Sequence, residues 1–478
     1  MDKDLLSIQQ VRDLLKEAKT AQKEFAEFDQ QQIDKIIYEM SMEIRKYDEK
    51  LAKMAAEETG FGKWEDKVLK NRFASTYLYD YIKNMKTKGI LKDENSVMEI
   101  GIPVGIIAGL IPSTNPTSTT IYKILISLKA GNAIIISPHP NAKNSIIETA
   151  RILKAAAERA GAPKGLIGVL EIPSMEGTHE LMTHEDTSLI LATGGEAMVR
   201  AAYSSGTPAI GVGPGNGPAF IERSANIKLA VKRILDSKTF DNGVICASEQ
   251  SIIVEEINRD AVKAELIAQG AYFMPREDAD KLGRFILRPN GTMNPQIVGK
   301  SVEVIANLAG ISVPMGTRVL ISEETTVSEK NPYACEKLAP ILAFYVEKDW
   351  ESACKRSIEI LNNEGIGHTM VIHSENKEII REFALKKPVS RLLVNTPGAL
   401  GGIGATTNLA PALTLGCGAV GGSSTSDNIT PLNLINIRRV AWGVRELEDL
   451  KPKEEKCSAS SAEIEILVRK VLADLMNR

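Results

Sequence analysis

Residues 104–137 read VGIIAGLIPSTNPTSTTIYKILISLKAGNAIIIS, and this stretch decides the fold. Its first apolar run, 104–111, predicts a buried strand, and the polar turn Pro-Ser-Thr-Asn-Pro follows at 112–116. A helical pattern over 120–130 leads into a second apolar run at 133–137, which two prolines end. A strand, a helix and a second strand in this order predict a parallel βαβ unit.

Outward from this stretch, the same alternation predicts two doubly wound α/β domains. Residues 1–92 have apolar positions at helical spacing, which predicts helices ahead of a first α/β domain, so that this part spans 1–218. A second α/β domain is expected over 219–427. The further predicted elements are a helix at 144–160 and strands at 166–171, 187–192, 251–254, 318–321, 341–345, 369–372 and 391–394.

The composition argues against several classes of protein. With 478 residues, a net charge of −3 and 25% charged residues, the chain has no general attraction to nucleic acid or to an anionic membrane. It has no apolar run of about 18 residues and no secretory signal pattern, so no membrane span is expected. Neither a Gly-x-Ser-x-Gly elbow nor a His-Glu-x-x-His helix occurs, which argues against serine hydrolases and zinc proteases.

The cysteines are scattered and odd in number, which argues against a disulfide framework and against a metal site. This usage is typical of a protein in a reducing compartment, and it predicts a cytoplasmic location. Cys246 stands out, since it lies in a polar, glycine-flanked loop before an apolar strand. A thiolate there could attack an aldehyde and hold the acyl group as a thioester. A buried structural cysteine is the alternative, and chemistry alone does not exclude Cys335 or Cys417. The five cysteines are residues 246, 335, 354, 417 and 457.

Four other segments could complete such a site. Asn115 follows a predicted strand, where its amide could donate to an oxyanion, although asparagine is also common in turns. The Ala-Thr-Gly-Gly turn at 192–195 opens a predicted helix whose N–H groups could face a diphosphate, yet paired glycines are common in such turns. Glu336 could bind ribose hydroxyls or be a solvated glutamate. His368, predicted just before a strand, could be a general base for an incoming thiol or a structural histidine.

The C-terminal region has a different character. Residues 451–460 form a polar stretch that is too poor in apolar groups to pack, which predicts a linker. Ser460 and Glu463 have the spacing of a capping box at the start of a helix over 461–478. A short amphipathic helix on a linker cannot bury its apolar stripe locally, so we expect it to bind another surface. The stripe consists of Ile464, Leu467, Val468, Val471, Leu472 and Leu475.

Taken in order, these motifs resemble the aldehyde dehydrogenase family, and more closely its CoA-acylating branch. The resemblance covers nearly the whole chain to about residue 445 and implies that family's fold, with a cofactor domain and a catalytic domain. The segments that carry it are PSTNP (112–116), SPHPNAK (137–143), ATGG (192–195), AAYSSGTPAIGVGPGN (201–216), FDNGVICASEQS (240–251), EKLAP (336–340), GIGHT (365–369) and LTLGCGAVGG (413–422).

The resemblance implies a reversible oxidation of a short-chain aldehyde by NAD, with transfer of the acyl group to coenzyme A. In this scheme Cys246 is the nucleophile, Asn115 donates to the oxyanion, and His368 remains the candidate base. Glu336 would bind the nicotinamide ribose and Thr193 would lie near the diphosphate. The full set of implied cofactor residues is Pro112, Ser113, Ser137, His139, Pro140, Thr193, Gly194, Gly195 and Glu336.

Val212 separates the chain from the hydrolytic branch of the family. It lies in the predicted turn 211–218, and hydrolytic relatives carry a water-activating glutamate at the matching position. Hydrolytic relatives also commonly carry a lysine where this chain has Ser137, and its absence leaves NADP open beside the favoured NAD. The alternatives are a charged aldehyde such as succinate semialdehyde or sulfoacetaldehyde, a hydrolytic dehydrogenase, or a binding protein without turnover.

The resemblance also implies partners. Family members pair through a β-hairpin, here at 93–104, and a C-terminal segment, here at 428–449, which implies a homodimer or homotetramer. The final part, 450–478, with its helix at 461–478, resembles the encapsulation peptides that dock cargo enzymes on bacterial microcompartment shells. The protein would then be cytoplasmic, inside such a compartment. A helix that packs on its own oligomer is the alternative.

Overall fold

The computed structural model describes residues 2–288, 291–451 and 460–477. Residues 452–459 of the predicted linker, which include Cys457, lie outside the described residues. The chain separates into two compact units. The first comprises residues 1–91 and 100–438, and the second comprises residues 92–99 and 439–478.

Helices form the N-terminal part, as the apolar spacing predicts. The first helix buries Val11, Leu15 and Ala18 on one face, and the second begins with a capping box between Asp29 and Gln32. A single π-turn over Phe73–Tyr77 joins the last two helices. The helices are α1 (Lys3–Phe25), α2 (Gln30–Ile44), α3 (Asp48–Thr59), α4 (Trp64–Arg72) and α5 (Leu78–Ile82).

A β-hairpin follows, made of β1 (Gly89–Glu94) and β2 (Val97–Pro103). Its two turn residues, Asn95 and Ser96, have φ values of 54° and 59°. Left-handed conformations at both central residues are typical of a type I′ turn, which suits the twist of two antiparallel strands. The hairpin begins at Gly89 rather than at the predicted 93, because a turn at 95–96 requires a first strand long enough to pair with β2.

The first α/β sheet has five parallel strands in the order β5-β4-β3-β6-β7. All residues of β3 and β4 are buried, as expected of central parallel strands. Helix α6 begins at Pro116, before the predicted 120, because proline fits the first helical position. The elements are β3 (Ile106–Ile111), α6 (Pro116–Lys129), β4 (Ala133–Pro138), α7 (Lys143–Arg159), β5 (Ile167–Val169), α8 (Met175–Thr183), β6 (Thr187–Thr193), α9 (Glu196–Ser204) and β7 (Ala209–Val212).

The second α/β sheet has seven parallel strands in the order β10-β11-β12-β9-β8-β13-β14. With the first sheet it confirms the predicted fold of two doubly wound α/β sheets. Its elements are β8 (Gly217–Ile221), α10 (Ile227–Thr239), β9 (Glu249–Glu255), α11 (Arg259–Ala268), β10 (Ala271–Phe273), α12 (Arg276–Ile286), α13 (Val302–Ala309), β11 (Val319–Glu323), β12 (Ile341–Glu347), α14 (Trp350–Asn363), β13 (Gly367–His373), α15 (Lys377–Lys386), β14 (Val389–Val394) and α16 (Gly398–Gly402).

Two local predictions were wrong. The predicted turn 211–218 is shorter, because its ends belong to β7 and β8, so the chain passes from the first sheet to the second within residues 213–216. His368 does not precede a strand but lies inside β13. In both places a glycine-rich sequence, which favours turns in isolation, is drawn into a buried strand by pairing with its neighbours.

The remaining elements are β15 (Ile435–Ala441) and α17 (Ser461–Met476). The strand lies at the edge of a three-stranded sheet in the order β1-β2-β15, and most of its residues are exposed. Helix α17 begins with the predicted capping box, in which Ser460 Oγ accepts from Glu463 N at 3.3 Å. Among the described residues, no helix combines the length and the apolar character that a bilayer crossing requires.

Candidate active site

Cys246 lies on a loop between the turn Phe240–Gly243 and strand β9. Asp241 and Asn242 in that turn have φ values of 49° and 53°, a conformation that non-glycine residues rarely adopt and that often marks functional sites. The residues on either side of Cys246 are buried, whereas Cys246 itself is partly exposed. Cys246 is therefore less buried than the residues beside it in the loop. Cys354 and Cys417 are buried, but Cys335 is also partly exposed, so exposure alone does not select the nucleophile.

Gly215 allows the backbone to pass directly behind Cys246. A Cβ atom at this position would lie 2.0 Å from the carbonyl oxygen of Cys246 and 3.4 Å from Cδ2 of His368. No side chain can occupy that space without displacing the Cys246 loop. The glycines of the 213–216 connection thus bring together two site residues that are far apart in sequence.

The thiol of Cys246 is held in its neutral form. Burial of the sulfur, together with the charges of Glu336 and Cys417 and against the opposing charge of Arg391, raises its pKa to about 12. A thiol with this pKa is a weak nucleophile near pH 7, because the thiolate is the reactive species. Cys246 therefore needs a change in its electrostatic surroundings before it can attack an electrophile.

Glu336 is the carboxylate whose charge acts on the thiol of Cys246. Its Oε1 accepts a hydrogen bond from Gly215 N at 2.8 Å, and its own N–H donates to Oε2 of Glu364 at 2.5 Å. Burial raises the pKa of Glu336 to about 8, with a further contribution from the charge of Glu364. Val212 supplies no carboxylate, as expected, but motif spacing did not predict that Glu336 would lie this close to Cys246.

Asn115 lies at the N-terminal end of α6, at the carboxyl edge of β3. Its Nδ2 atom is 3.4 Å from the carbonyl oxygen of Val244 and 3.2 Å from Oγ1 of Thr114. Its Oδ1 atom accepts a hydrogen bond from Nζ of Lys70 at 2.5 Å. The amide N–H group therefore faces the segment that carries Cys246, and its carbonyl faces away.

A buried ionic cluster supports Asn115, and sequence reasoning missed it. Nζ of Lys67 lies 3.0 Å from Oδ2 of Asp241, and Nζ of Lys70 contacts the same oxygen. Burial lowers the pKa of Lys70 to about 8, against the opposing effect of Asp241. Lysines three residues apart on a predicted helix lie on the same face, and this spacing could have indicated the cluster. A face that carries two lysines is normally solvated, however. Their burial against residue 241 depends on the tertiary fold.

His368 is fully buried, and its surroundings do not favour a charged imidazole. Its Nδ1 shares a hydrogen bond with Oγ1 of Thr369 at 2.9 Å, while Nε2 has no partner among the described residues. Burial, together with the charge of Arg391, lowers the pKa of His368 to about 3. The ring is therefore neutral near pH 7, and Nε2 is the ring nitrogen that is left without a hydrogen-bond partner among the described residues.

Arg391 is a second residue that sequence reasoning missed. This buried cation on β14 donates to the carbonyl oxygens of His368 at 3.1 Å and Gly416 at 2.7 Å, and to Oγ1 of Thr369 at 3.3 Å. Within the described part of the chain it forms no ion pair with a carboxylate. Its charge therefore acts on the nearby thiols, where it favours the thiolate of Cys246.

The 192–195 turn connects β6 to α9, as predicted. Oγ1 of Thr193 lies 3.2 Å from Oγ1 of Thr414, and Gly195 occupies the N-cap position of α9 without a side-chain cap. A Cβ atom at Gly195 would meet no atom within 4 Å, so there is open space before the first turn of the helix. Open space at an uncapped helix N-terminus is suited to an anionic group such as a diphosphate.

The other predicted cofactor residues lie at the carboxyl ends of β3 and β4, where ligands bind in open α/β sheets. Ser137 is buried, with its Oγ 2.9 Å from Oγ1 of Thr178, whereas His139 and Pro140 are exposed. Pro112 is buried and Ser113 is partly exposed. Val212 is buried at the end of β7, where it pairs with Thr193. These predicted cofactor residues thus lie together at the carboxyl ends of two adjacent strands, β3 and β4.

Comparison with known families gives one match over most of the chain. Residues 5–406 match the model of the family described as "Aldehyde dehydrogenase family". The bifunctional aldehyde-alcohol dehydrogenase of Escherichia coli K12 is 48% identical over 442 residues, which cover 91% of this chain and 50% of that protein. The chain therefore spans about half the length of the curated relatives that it matches first.

Two solved structures are also similar. An acetylating aldehyde dehydrogenase from Geobacillus thermoglucosidasius is 52% identical, with a TM-score of 0.92 and coverage of 95% of this chain and all of that one. A propionaldehyde dehydrogenase from the fucose utilisation bacterial microcompartment of Clostridium phytofermentans is 26% identical, with a TM-score of 0.82 and coverage of 91% and 97%.

Proposed function

The chain belongs to the aldehyde dehydrogenase family, and from this premise we propose that it is a CoA-acylating aldehyde dehydrogenase. The reaction converts a short-chain aldehyde, CoA and NAD+ into acyl-CoA, NADH and a proton, and it is reversible. The observation that carries the proposal is the partly exposed Cys246 with the Asn115 amide directed at its segment and valine, not glutamate, at position 212.

In the first half-reaction the sulfur of Cys246 forms a bond to the aldehyde carbon, and the thiol proton is released to solvent as the proton that the overall reaction produces. The aldehyde oxygen becomes an alkoxide, which the Nδ2 group of Asn115 stabilises by hydrogen bonding. A bound nicotinamide supplies the acceptor for the hydride that leaves the same carbon. Loss of the hydride with its electron pair converts the thiohemiacetal on Cys246 into a thioester.

In the second half-reaction a thiol replaces Cys246. The CoA sulfur bonds to the acyl carbon, the bond to Cys246 breaks, and the CoA thiol proton must be accepted. His368 remains our candidate acceptor because its Nε2 has no hydrogen-bond partner among the described residues, although a pKa lowered by burial to about 3 makes the neutral ring a weak base. Glu336, with a pKa raised to about 8, is better matched to a proton transfer near neutral pH.

We propose that the cofactor diphosphate binds at the start of α9, near Thr193, Gly194 and Gly195. The uncapped helix end and the space before Gly195 fit such a group. Glu336 would bind the nicotinamide ribose, since its carboxyl group accepts from Gly215 and retains acceptor capacity. Ser137, His139 and Pro140 would flank the adenosine, and Pro112 and Ser113 would also contact the cofactor, with NAD favoured over NADP.

A hydrolytic dehydrogenase is the second candidate, and Glu336 is the observation that favours it. A carboxylate whose charge acts on Cys246 could activate water for attack on the thioester. In the proposed acylating enzyme, Glu336 is instead held by Gly215 and occupied by the cofactor ribose. A charged substrate such as succinate semialdehyde or sulfoacetaldehyde is a variant of the first candidate.

We further propose a homodimer or homotetramer built through β15 and the β1-β2 hairpin. The edge strand β15 leaves Ile437, Val440 and the following Trp442 about half exposed, which a second copy would cover. For α17 we propose docking to a protein shell. Its apolar stripe is at least half exposed at all six positions, and the propionaldehyde dehydrogenase of similar structure comes from a microcompartment.

Steady-state assays with a panel of aldehydes test the proposed function. Acetaldehyde, propionaldehyde, butyraldehyde, succinate semialdehyde and sulfoacetaldehyde are each supplied with NAD+, with and without CoA, and the products are identified by mass spectrometry. We expect CoA-dependent NADH formation with acyl-CoA as product, and none from Cys246→Ala. A free acid formed at the same rate without CoA would instead establish the hydrolytic candidate.

A further inference from the structure

Cys354 and Lys387 form a close pair in the second sheet domain, outside the candidate active site. Cys354 lies on α14, and Lys387 directly follows α15 as its C-cap residue. Nζ of Lys387 is 2.6 Å from Sγ of Cys354 and 2.9 Å from the carbonyl oxygen of the same residue. Both residues are buried, with exposed fractions of 5% for Cys354 and 7% for Lys387.

The nitrogen–sulfur separation is too short for an ordinary hydrogen bond. An N–H···O bond has a typical nitrogen–oxygen distance of about 2.9 Å, and sulfur is a larger acceptor than oxygen, so an N–H···S bond is longer still. At 2.6 Å the two atoms stand at the separation that one oxygen atom, singly bonded to both, would impose. The contact to the Cys354 carbonyl, by contrast, has the length of a normal hydrogen bond.

The surroundings favour a neutral amine at Lys387. Within the described residues, its polar contacts are the sulfur and carbonyl oxygen of Cys354, and no carboxylate pairs with it. The centre of the Phe383 ring lies 4.1 Å from Nζ, and this contact favours the charged form, against the effect of burial. Burial lowers the pKa of Lys387, against the opposing contacts with Cys354. A neutral amine has a lone pair and can form a covalent bond, which an ammonium group cannot.

We propose that Cys354 and Lys387 form a reversible covalent bridge in which one oxygen atom links Sγ to Nζ. Hydrogen peroxide is the oxidant. One molecule of peroxide converts the Cys354 thiol to a sulfenic acid and releases water. A second molecule, together with the Lys387 amine, converts the sulfenic acid to the S–O–N bridge and releases two molecules of water. The pair loses two hydrogens and gains one oxygen, and two equivalents of a dithiol reverse the change.

The bridge joins two segments that lead to the candidate active site. Helix α14, which carries Cys354, is followed directly by Glu364, whose carboxylate accepts from the backbone of Glu336. Lys387 is followed by β14, which carries Arg391. A covalent link between the start of α14 and the start of β14 constrains the unfolded chain and raises stability, as other cross-links do. The inference does not depend on the proposed function.

Peptide mapping of the full-length protein tests the proposal. The protein is treated with hydrogen peroxide, denatured, blocked with iodoacetamide and digested with trypsin. Cleavage then yields peptides 349–355 and 387–391, because Lys387 precedes a proline. We expect a cross-linked species whose mass is the sum of these two peptides plus about 14 Da, which corresponds to one oxygen gained and two hydrogens lost. Dithiothreitol added before digestion should abolish it.

Two variants serve as controls. Cys354→Ser removes the sulfur, and Lys387→Arg replaces the amine by a guanidinium group that cannot form the bridge, so neither should give the cross-linked species. Peroxide should raise the melting temperature of the wild-type protein reversibly but not that of Lys387→Arg. Recovery of sulfenic or sulfinic acid on Cys354 with an unmodified 387–391 peptide would overturn the proposal. Because this result comes from the wild-type protein, it decides the question even if a variant does not fold.

Discussion

Lys70 orients Asn115: Nζ of Lys70 donates to Oδ1 of Asn115 at 2.5 Å, and Nδ2 of the same amide faces the carbonyl of Val244. An ammonium group can only donate, so it fixes which end of the amide points toward Cys246. Asp241 holds Lys70 from the other side. The proposed oxyanion donor, Asn115, is thus aligned by a buried ion pair and not only by its own position in the chain.

Replacement of Lys70 by methionine should lower kcat by about tenfold, because an unsupported Asn115 amide can turn and lose part of its oxyanion contribution. Asn115→Ala, which removes the donor itself, should cost about 10²–10³-fold in kcat. Steady-state kinetics with saturating substrates measure both effects, and KM should change little in either variant.

Stability needs a separate control, because loss of one partner of a buried ion pair can cost about 3–5 kcal/mol of folding free energy. Lys67→Met is the matched control, because it removes the other buried lysine paired with Asp241 and leaves the hydrogen bond from Lys70 to Asn115 in place. We expect a similar loss of melting temperature in Lys67→Met but a smaller loss of kcat than in Lys70→Met. If kcat falls equally in both variants, Lys70 acts through folding and not through Asn115.

Gly215→Ala should sharply reduce activity, since a Cβ atom there would lie 2.0 Å from the Cys246 carbonyl oxygen. The backbone atoms in contact cannot rotate away, so the Cys246 loop must move. Gly213→Ala is the matched control, because a Cβ atom at Gly213 meets nothing within 4 Å. Dehydrogenase assays on both variants measure the difference, and equal activities would show that the close approach at Gly215 is dispensable.

Alkylation of Cys246 by iodoacetamide should follow its raised pKa. In the protein without cofactor, the rate should rise about tenfold per pH unit from pH 7 to 10, because the thiolate fraction rises that steeply below a pKa of about 12. Peptide mapping distinguishes Cys246 from the other cysteines. A rate that levels off near pH 8 would show that the thiol titrates normally.

Glu336→Gln should accelerate this alkylation, by a factor that grows as the pH rises. The negative charge of Glu336 raises the pKa of Cys246, but burial keeps Glu336 largely protonated below its own pKa of about 8. The variant should therefore resemble the wild type at pH 7 and react several times faster at pH 9. Glu329→Gln, at an exposed position, is the control and should change neither rate.

The apolar stripe of α17 should be necessary for shell docking but not for catalysis. Val471→Glu places a charge within the stripe, whereas Ala473→Glu places the same charge on the opposite side of the helix. Co-sedimentation with shell material should be lost in the first variant and kept in the second, with equal soluble activity. Unchanged sedimentation of Val471→Glu, or a loss of folding after deletion of 451–478, would contradict the docking proposal.

The fold was predictable because its strands are nearly continuous apolar runs separated by helical patterns, as at 104–111 and 133–137. Boundaries were less predictable where local signals compete. Glycines around 211–218 and 365–369 favour turns, yet strand pairing places Val212 in β7 and His368 in β13. The capping box at Ser460 is a local interaction and was predicted correctly.

Motifs predicted the strand-end positions of Asn115 and of the 192–195 turn and the loop position of Cys246, while the roles of these residues stay predictions. The supporting groups were not predictable from spacing. Lys70 meets Asp241 across 171 residues of sequence, and Arg391 reaches the carbonyl of Gly416 across a loop that no pattern defines. Such contacts depend on the packing of two sheets, which a single sequence does not specify residue by residue.

A single-turnover experiment tests the central claim most directly. Wild-type protein is mixed with propionaldehyde and excess NAD+ in the absence of CoA, and NADH is measured together with the intact mass of the chain. We predict one equivalent of NADH per active site and a propionyl group on Cys246, followed by full turnover when CoA is added. Continuous NADH production without CoA, with no acyl group found on Cys246, would contradict the account.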